Sequence, residues 1–484
     1  MSVGRTTARA AIWAFLATAG SKVITLVGLG VLARLLAPTE FGLLAFALVY
    51  ITYAETIGDL GSGMALVYWP DRREEAAQAT FLINLFAGIF WFLLTLAIAP
   101  WVADFFNATN GANIVRVLAI SFVLKFLGNT HDALTQKDLK FRKRMVPDLA
   151  FAGLKAVVSI VLAYLGYGAW SLVWGQIAGV GARTLLLWIA VPWRPSFTYP
   201  RELMKPMLGY GRGIVLANIL GAITHHADLA IVGRFLGTTA LGLYQMASKV
   251  PETSVIVILW VVGRVLFPAF SRIHAQGESL KRPYLTAGRY ISAATMPIAI
   301  GLFVLAEPVV LVFLGEQWLA AAPILSALSL YAAMRCLSTH AGDVLKATGR
   351  ASLLARISMV KALLIVPALA IGAMVDATMV AIALTIAAAV TTMITLVAAS
   401  RIIGVKLSEI AGSFLPSIVA SAAMAVPVKL FIEWADHLNP VLQIAISGVI
   451  GATVYAIVLA LLDRDLFQRA RHHFLPGTPS KRAV

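Results

Sequence analysis

Lys22, Lys125, Lys155, Arg335 and Lys361 stand inside stretches built almost wholly of Ala, Leu, Val, Ile, Phe and Gly, and Arg34 and Arg234 stand at the edges of two more. A charge at the centre of a bilayer costs about 2.5 to 3.5 kcal/mol, so each of these cations must face a partner or a wet cavity. Spread along the chain in this way they suit an anionic substrate, and the planar fork of arginine suits phosphate because it can hold two oxygens. The same stretches carry Glu55, Asp59, His225, His226, Asp228 and Glu252. These are candidate sites for a coupling proton or cation, or charge-balancing partners of the lysines. His225 and His226 form no metal motif, since adjacent residues on a helix point about 100° apart and no Cys or Glu stands at ligand spacing.

Several of these residues have plain structural readings. Lys155 and Lys361 lie near enough to one end of their stretches to snorkel to the interface. Lys249 and Glu252 are three residues apart and share a helix face, and Asp343 stands close to Lys346. Lys125 and Arg335 lie deeper. Chemistry of the enzymatic kind has no foothold: the segment KATGRAS at 346–352 lacks the second glycine and the lysine of a phosphate-binding loop, and no long outer loop is available for catalysis. The expectation is a protein without cofactor or metal that transports without ATP.

The elements that position these side chains follow from composition. Of 484 residues 60% are hydrophobic and 13% charged, with mean hydropathy +0.85; soluble domains carry about 25% charged residues. Apolar runs of spanning length occupy 10–33, 41–68, 78–100, 113–133, 147–165, 168–192, 208–233, 239–263, 286–312, 321–344, 353–373, 378–400, 412–431 and 440–462. The class predicted is an all-α polytopic membrane protein of about fourteen helices, because backbone polar groups cannot go unpaired in lipid and the alternation of barrel strands is missing. A cleaved leader ending near Ala17-Thr18-Ala19 is the rival reading at the N-terminus; the apolar run continues past Lys22, so the first span is expected to stay. The single cysteine, Cys336, lies within a span.

A net charge of +16 would point to nucleic acid in a soluble protein, but here its distribution decides. One alternating set of connections is rich in Lys and Arg, notably KDLKFRKR at 137–144, whereas the other holds only Arg34 and Arg234. The positive-inside rule then places the basic set and both termini in the cytoplasm, which requires an even number of spans. Membrane lipid, not nucleic acid, is the expected neighbour of the basic clusters.

Two stretches, ARLLAPTEFGLLAFA at 33–47 and GRFLGTTALGLYQMA at 233–247, agree at Arg34/Arg234, Leu36/Leu236, Thr39/Thr239, Gly42/Gly242, Leu43/Leu243 and Ala47/Ala247. Further along, Lys125 faces Arg335 at an offset of 210 and Lys155 faces Lys361 at an offset of 206. A repeat of six spans inserts both copies the same way up, related by an axis along the bilayer normal. The expected organisation is an N-terminal lobe over 1–205, a second lobe over 206–405, two additional helices over 406–463 and a cytoplasmic tail over 464–484.

The run SKVITLVGLGVLARLLAPTEFGLLAFALVYITYAETIGDLGSGMALVYW, followed by HDALTQKDLKFRK, YGAWSLVWGQ, ADLAIVGRFLGTTALGLYQMASKV, VGRVLFPAFSRI and FLGEQWLAAAPIL, closely resembles the bacterial polysaccharide transporters. These are the Wzx-type oligosaccharide flippases of the multidrug/oligosaccharidyl-lipid/polysaccharide exporter superfamily, and the likeness is strongest to the colanic-acid and exopolysaccharide exporters. It implies fourteen helices in two lobes and movement of a polyprenyl-diphosphate-linked oligosaccharide across the bacterial inner membrane by ion-coupled alternating access. It further implies Lys22, Arg34 and Arg234 as headgroup contacts ahead of Lys125 and Arg335, a groove for the lipid tail on the last two helices, and other polysaccharide assembly proteins as partners. A drug or cation exporter of the same superfamily would want a net acidic cavity. A non-transporting scaffold would tolerate neutral cavity residues, and a membrane glycosyltransferase would need an outer catalytic loop.

Overall fold

The computed structural model describes residues 3–464 except 70, 71, 109, 110, 139, 197 and 199, and the backbone alone at 3–18, 141, 201, 212–214, 216, 217, 225, 260, 261, 264 and 351. Among the described residues there is no strand. Long apolar runs leave the backbone no solvent to bond with, so each closes its own hydrogen bonds as a helix. The expected tail at 464–484 lies outside the described residues but for Arg464.

In chain order the helices are α1 (Val3–Leu35), α2 (Pro38–Gly58), α3 (Ser62–Tyr68), α4 (Arg73–Phe105), α5 (Gly111–Leu118), α6 (Ile120–Lys137), α7 (Phe141–Tyr164), α8 (Ala169–Ala190) and α9 (Arg201–Pro251). After a π-helical turn at Glu252–Ile256 come α10 (Val257–Ala275), α11 (Lys281–Val304) and α12 (Ala306–Phe313), then a 3-10 turn at Glu316–Ala321 and α13 (Ala322–Ala347). The chain continues through α14 (Ala351–Gly372), α15 (Ala377–Ile403), α16 (Leu407–Trp434) and α17 (Pro440–Leu462).

Helix covers every expected span, but three spans are not single rods. The span over 41–68 breaks where Leu60 and Gly61 take positive φ (49° and 66°), and the next two interruptions fall at Ala119 and Leu305. At the second repeated turn the backbone breaks at Gly237 (φ 81°, ψ −177°), so the stretch numbered α9 is two helices that meet at a kink, between the expected spans 208–233 and 239–263. Eleven helices among the described residues are long and apolar enough to cross a membrane. A total of fourteen crossings requires α1, α9 and α10 as well.

The chain forms two compact units. The first holds Met1–Met246, Phe313–Trp318 and Ile365–Val380. In it α7 packs along both α1 and α8, and α6 packs on α4 and α8. Small residues bring these helices close, as they must where lipid offers no hydrophobic drive between them. Gly175 and Gly179, four apart on α8, face Ser159 and the Lys155 and Phe151 carbonyls of α7 so closely that a methyl group on either would overlap them.

An ion-pair network the sequence reading missed locks the same helices. Arg183 of α8 donates to Asp148 Oδ1 at 2.8 Å and to Asp132 Oδ1 at 3.1 Å, and Arg144 reaches Asp132 at 3.1 Å and Asp148 at 3.4 Å.

The second unit holds Ala247–Val312, Leu319–Leu364 and the chain from Ala381. Its centre is α11, against which α13 and α16 pack. The two helices beyond the repeat are fastened here: Tyr455 of α17 donates to the Ala293 carbonyl at 2.8 Å, Ser292 to Ser417 Oγ at 3.3 Å, and Arg289 to Asp463 at 2.8 Å. On α15, Thr385 and Thr392 donate to the Ala327 and Met334 carbonyls of α13 at 2.9 and 3.1 Å.

Candidate functional site

In the first unit α2 places Glu55 and Asp59 one turn apart, and α6 places Lys125 and Asn129 at the same spacing. The two helices therefore meet in rungs. Lys125 Nζ lies 2.5 Å from Glu55 Oε2, and Asn129 Nδ2 lies 3.5 Å from Asp59 Oδ1. Asn129 also donates to Asn84 Oδ1 at 3.0 Å, and Asn84 to Ser62 Oγ at 2.9 Å. The break at Leu60-Gly61 makes the ladder feasible, since the turn lets Ser62 N–H bond the Asp59 carbonyl at 3.0 Å and brings the Ser62 hydroxyl to Asn84. Glu55 is thus the charge partner of Lys125.

Removing either partner of such a pair leaves the other uncompensated in an apolar setting, whereas removing both does not. Glu55→Gln and Lys125→Met should each lower stability by on the order of 1–3 kcal/mol, with the double variant recovering most of the loss. Melting of the four proteins in one detergent measures the coupling, and additive losses would show that the pair contributes nothing.

Asp228 on α9 accepts from the buried Tyr244 hydroxyl at 3.2 Å, and His226 lies within electrostatic reach of it. The side chain of His225 lies outside the described ones. Lys155, half-buried on α7, holds its ammonium 5.8 Å from the centroid of the Phe151 ring. Lys22 is half-buried on α1, beside Ser21, whose hydroxyl bonds the Asp148 carbonyl at 3.1 Å.

The two repeated turns meet directly. A methyl group on Gly42 would overlap the Thr238 carbonyl oxygen, and one on Gly242 would overlap the Pro38 carbonyl oxygen. Pro38 and Thr238 are themselves equivalent in the repeat, at an offset of 200. Packing needs therefore account for the paired glycines. Arg234 spreads its guanidinium 5.2 Å over the Phe105 ring, while its carbonyl accepts from Asn107 Nδ2 at 3.1 Å. Arg34 is exposed at the end of α1, where Trp318 and Gln317 cap the helix by donating to the Ala33 carbonyl at 2.7 and 2.5 Å.

The second unit carries charge differently. Arg335 on α13 lies over the Tyr331 ring at 5.7 Å and within 3.5 Å of its hydroxyl. Lys361 on α14 is close enough to feel the like charge of Arg335. Neither forms an ion pair with a carboxylate among the described residues. These two are the repeat equivalents of Lys125 and Lys155, but here no counterpart of Glu55 neutralises the arginine.

Lys249 and Glu252 do pair, at 2.8 Å, at the start of the π-helical turn, and Lys346 pairs with Asp343 at 3.1 Å. The arrangement as a whole balances the deep lysine of the first unit and leaves the second with net positive charge. An anion is the chemical complement.

The profile of a family described as "Polysaccharide biosynthesis protein" matches residues 31–323. The chain is 27% identical over 471 residues, 96% of its length and 95% of the relative's, to the succinoglycan biosynthesis transport protein ExoT of Rhizobium meliloti. It is 25% identical to the lipopolysaccharide biosynthesis protein WzxC of Escherichia coli, over 77% of this chain and 76% of that one. Among solved structures its fold is similar to that of the lipid II flippase MurJ in an inward closed conformation, with TM-score 0.76 and 15% identity over 94% of this chain and all of the other. With more than half its length matched, on an all-α, multi-pass membrane fold, this chain belongs to the polysaccharide biosynthesis protein family.

Proposed function

We propose that this protein moves a polyprenyl-diphosphate-linked oligosaccharide across the bacterial cytoplasmic membrane for exopolysaccharide or lipopolysaccharide biosynthesis. Both termini face the cytoplasm, and the six-span halves over 1–205 and 206–405 alternate access to the two sides, coupled to an ion. The observation that carries this reading is the Arg335–Lys361 pair, two cations held near each other in an apolar bundle with no carboxylate partner among the described residues. A diphosphate offers the dense negative charge such a pair lacks, and the arginine fork can hold two of its oxygens. Family membership and the transport roles named for ExoT and the MurJ flippase point the same way.

Lys22, Arg34, Arg234 and, in the first copy, Lys125 and Lys155 serve the same anionic headgroup at other stages of its passage. Glu55 and Asp59 balance charge, while Asp228, Glu252 and the His225-His226 pair are candidates for ion coupling. The last two helices offer the tail its groove, and other polysaccharide assembly proteins receive the product. The test is lipid extraction from cells lacking the protein, with the leaflet of the glycan-lipid probed by a membrane-impermeant sugar-modifying enzyme. A complete glycan-lipid should accumulate facing the cytoplasm and return to the outer leaflet when the protein is restored. Normal outward exposure in its absence, with no other flippase present, would sink the reading.

A further inference from the structure

Four buried polar atoms lie along one turn of α13 and on the facing α11 in the second unit. His340 Nδ1 and Nε2, Tyr284 Oη and Asp343 Oδ2 all lack a hydrogen-bond partner among the described residues. Yet His340 is 1% exposed, Tyr284 0% and Asp343 6%. The Tyr284 and His340 rings lie 4.7 Å apart, and Phe414 closes the other side edge-on at 5.7 Å. From α11, Gly288 comes so near that a Cβ there would stand 3.1 Å from His340 Nε2. Asp343 follows one turn along the same face of α13. Its Oδ1 receives Lys346 at 3.1 Å, and the group nearest its Oδ2 from α10 is Gly263, whose Cβ position is 3.5 Å away.

Each unmade bond of this kind costs about 1–3 kcal/mol, so a cluster of four is not a packing solution. The repeat supplies an internal comparison. Thr130-His131 and Thr339-His340 recur in the two copies at an offset of 209, one residue out of step with Lys125 and Arg335 at 210. His131 is equally buried and its Nδ1 also lacks a partner, but its Nε2 lies 3.2 Å from the Trp193 carbonyl and its ring stacks on Trp188 at 4.5 Å. The neighbouring Asp132 is held by Arg144 and Arg183. The second copy keeps the histidine and an aromatic cage while losing the carbonyl partner and both arginines, and its acid stands at Asp343 with one oxygen left over.

We propose that His340, flanked by Asp343 and Tyr284, is a buried proton-binding site that couples proton movement to the conformational cycle. This rests on the transport reading above. When α10, α11 and α13 part, the imidazole lone pair takes a proton from water and the Asp343 carboxylate one turn away steadies the cation. When they close, an imidazolium without a hydrogen-bond acceptor is costly, so the proton leaves and the neutral ring returns. The groups packed against the ring are Tyr284 from α11 and Phe414 from α16; Asp343 with its partner Lys346 stands one turn along α13, and among the described side chains and backbone of α10 it is Gly263 that lies beside it.

The test uses the full chain, labelled with 15N-histidine and held in lipid nanodiscs, with His340→Gln assigning the signal. The His340 ring is expected to take up a proton as the medium is acidified, and Asp343→Asn should move its midpoint. In proteoliposomes loaded with a prenyl-diphosphate glycan, a gradient of about one pH unit should speed wild-type translocation about tenfold. His340→Gln should run at the gradient-free rate under both conditions, and Tyr284→Phe, a smaller change that keeps the aromatic cage, should weaken the response. A ring that stays neutral throughout, or a His340→Gln variant as responsive as wild type, overturns the proton site. Gradient-independent transport by the wild type also overturns it while leaving the flippase standing, whereas no glycan-lipid movement by the wild type removes both.

Discussion

Replacing Arg335 and Lys361 by methionine should cut glycan-lipid translocation by about tenfold to a hundredfold each, and further together, while leaving the protein as stable as before or more so. The first expectation follows from charge-assisted bonds to phosphate, each on the order of 1.5–3 kcal/mol. The second follows from the structure: the two cations act on each other as like charges, and among the described residues no carboxylate is left uncompensated when either is removed. Function and stability should therefore move in opposite directions, the reverse of what Lys125→Met should do beside Glu55. Arg335→Lys keeps the charge but loses the fork and should fall between. Translocation rates in proteoliposomes, set against melting in detergent, check both. A Met variant that melts lower and transports normally would mean that Arg335 is a packing residue.

The second large effect is expected at the paired glycines. In Gly42→Val and Gly242→Val the new side chain meets a backbone carbonyl, of Thr238 or of Pro38, which cannot rotate aside. The turns must part, at a cost of about 3 kcal/mol by comparison with overpacked cores. That is near a hundredfold shift in any equilibrium that opens this face.

A cysteine at Leu241, 0% exposed beside the contact, reports the opening through an impermeant maleimide, against a background kept low by the burial of the native Cys336. Labelling should rise sharply in both valine variants and to similar extents, with transport falling. Equal labelling with and without the valine would show that the turns do not hold this face shut.

Much of this was legible in the sequence. Spanning length and composition located the helices because, without water, apolar runs have one way to satisfy their backbone. The Lys249–Glu252 and Asp343–Lys346 pairs were visible because their spacing is local. Glu55 could be anticipated as a charge partner, but not which lysine it meets, since 70 residues separate it from Lys125.

The network of Arg183 with Asp132, Asp148 and Arg144 escaped for the same reason. Its members come from three helices, and one arginine in an apolar run gives no sign of what lies across from it. The break after Asp59 was hidden because Leu60, a poor residue for positive φ, shares it with Gly61. The orphaned ring of His340 was beyond reach, because the sequence shows a histidine and only packing shows what is missing around it.

The meeting of Gly42 with Thr238 and of Gly242 with Pro38 has a reciprocal form: residue i of one copy touches residue j of the other, and j touches i. That reciprocity is what a two-fold axis imposes on identical subunits. An ancestor of one copy's length, inserted the same way up as its twin, would have made this contact with itself as a homodimer. In a single chain the two sides need not match, and here one has a glutamate beside its deep cation while the other has no such carboxylate partner among the described residues. In such a homodimer a single mutation would strike both sides of the seam at once; in one chain each side can change alone.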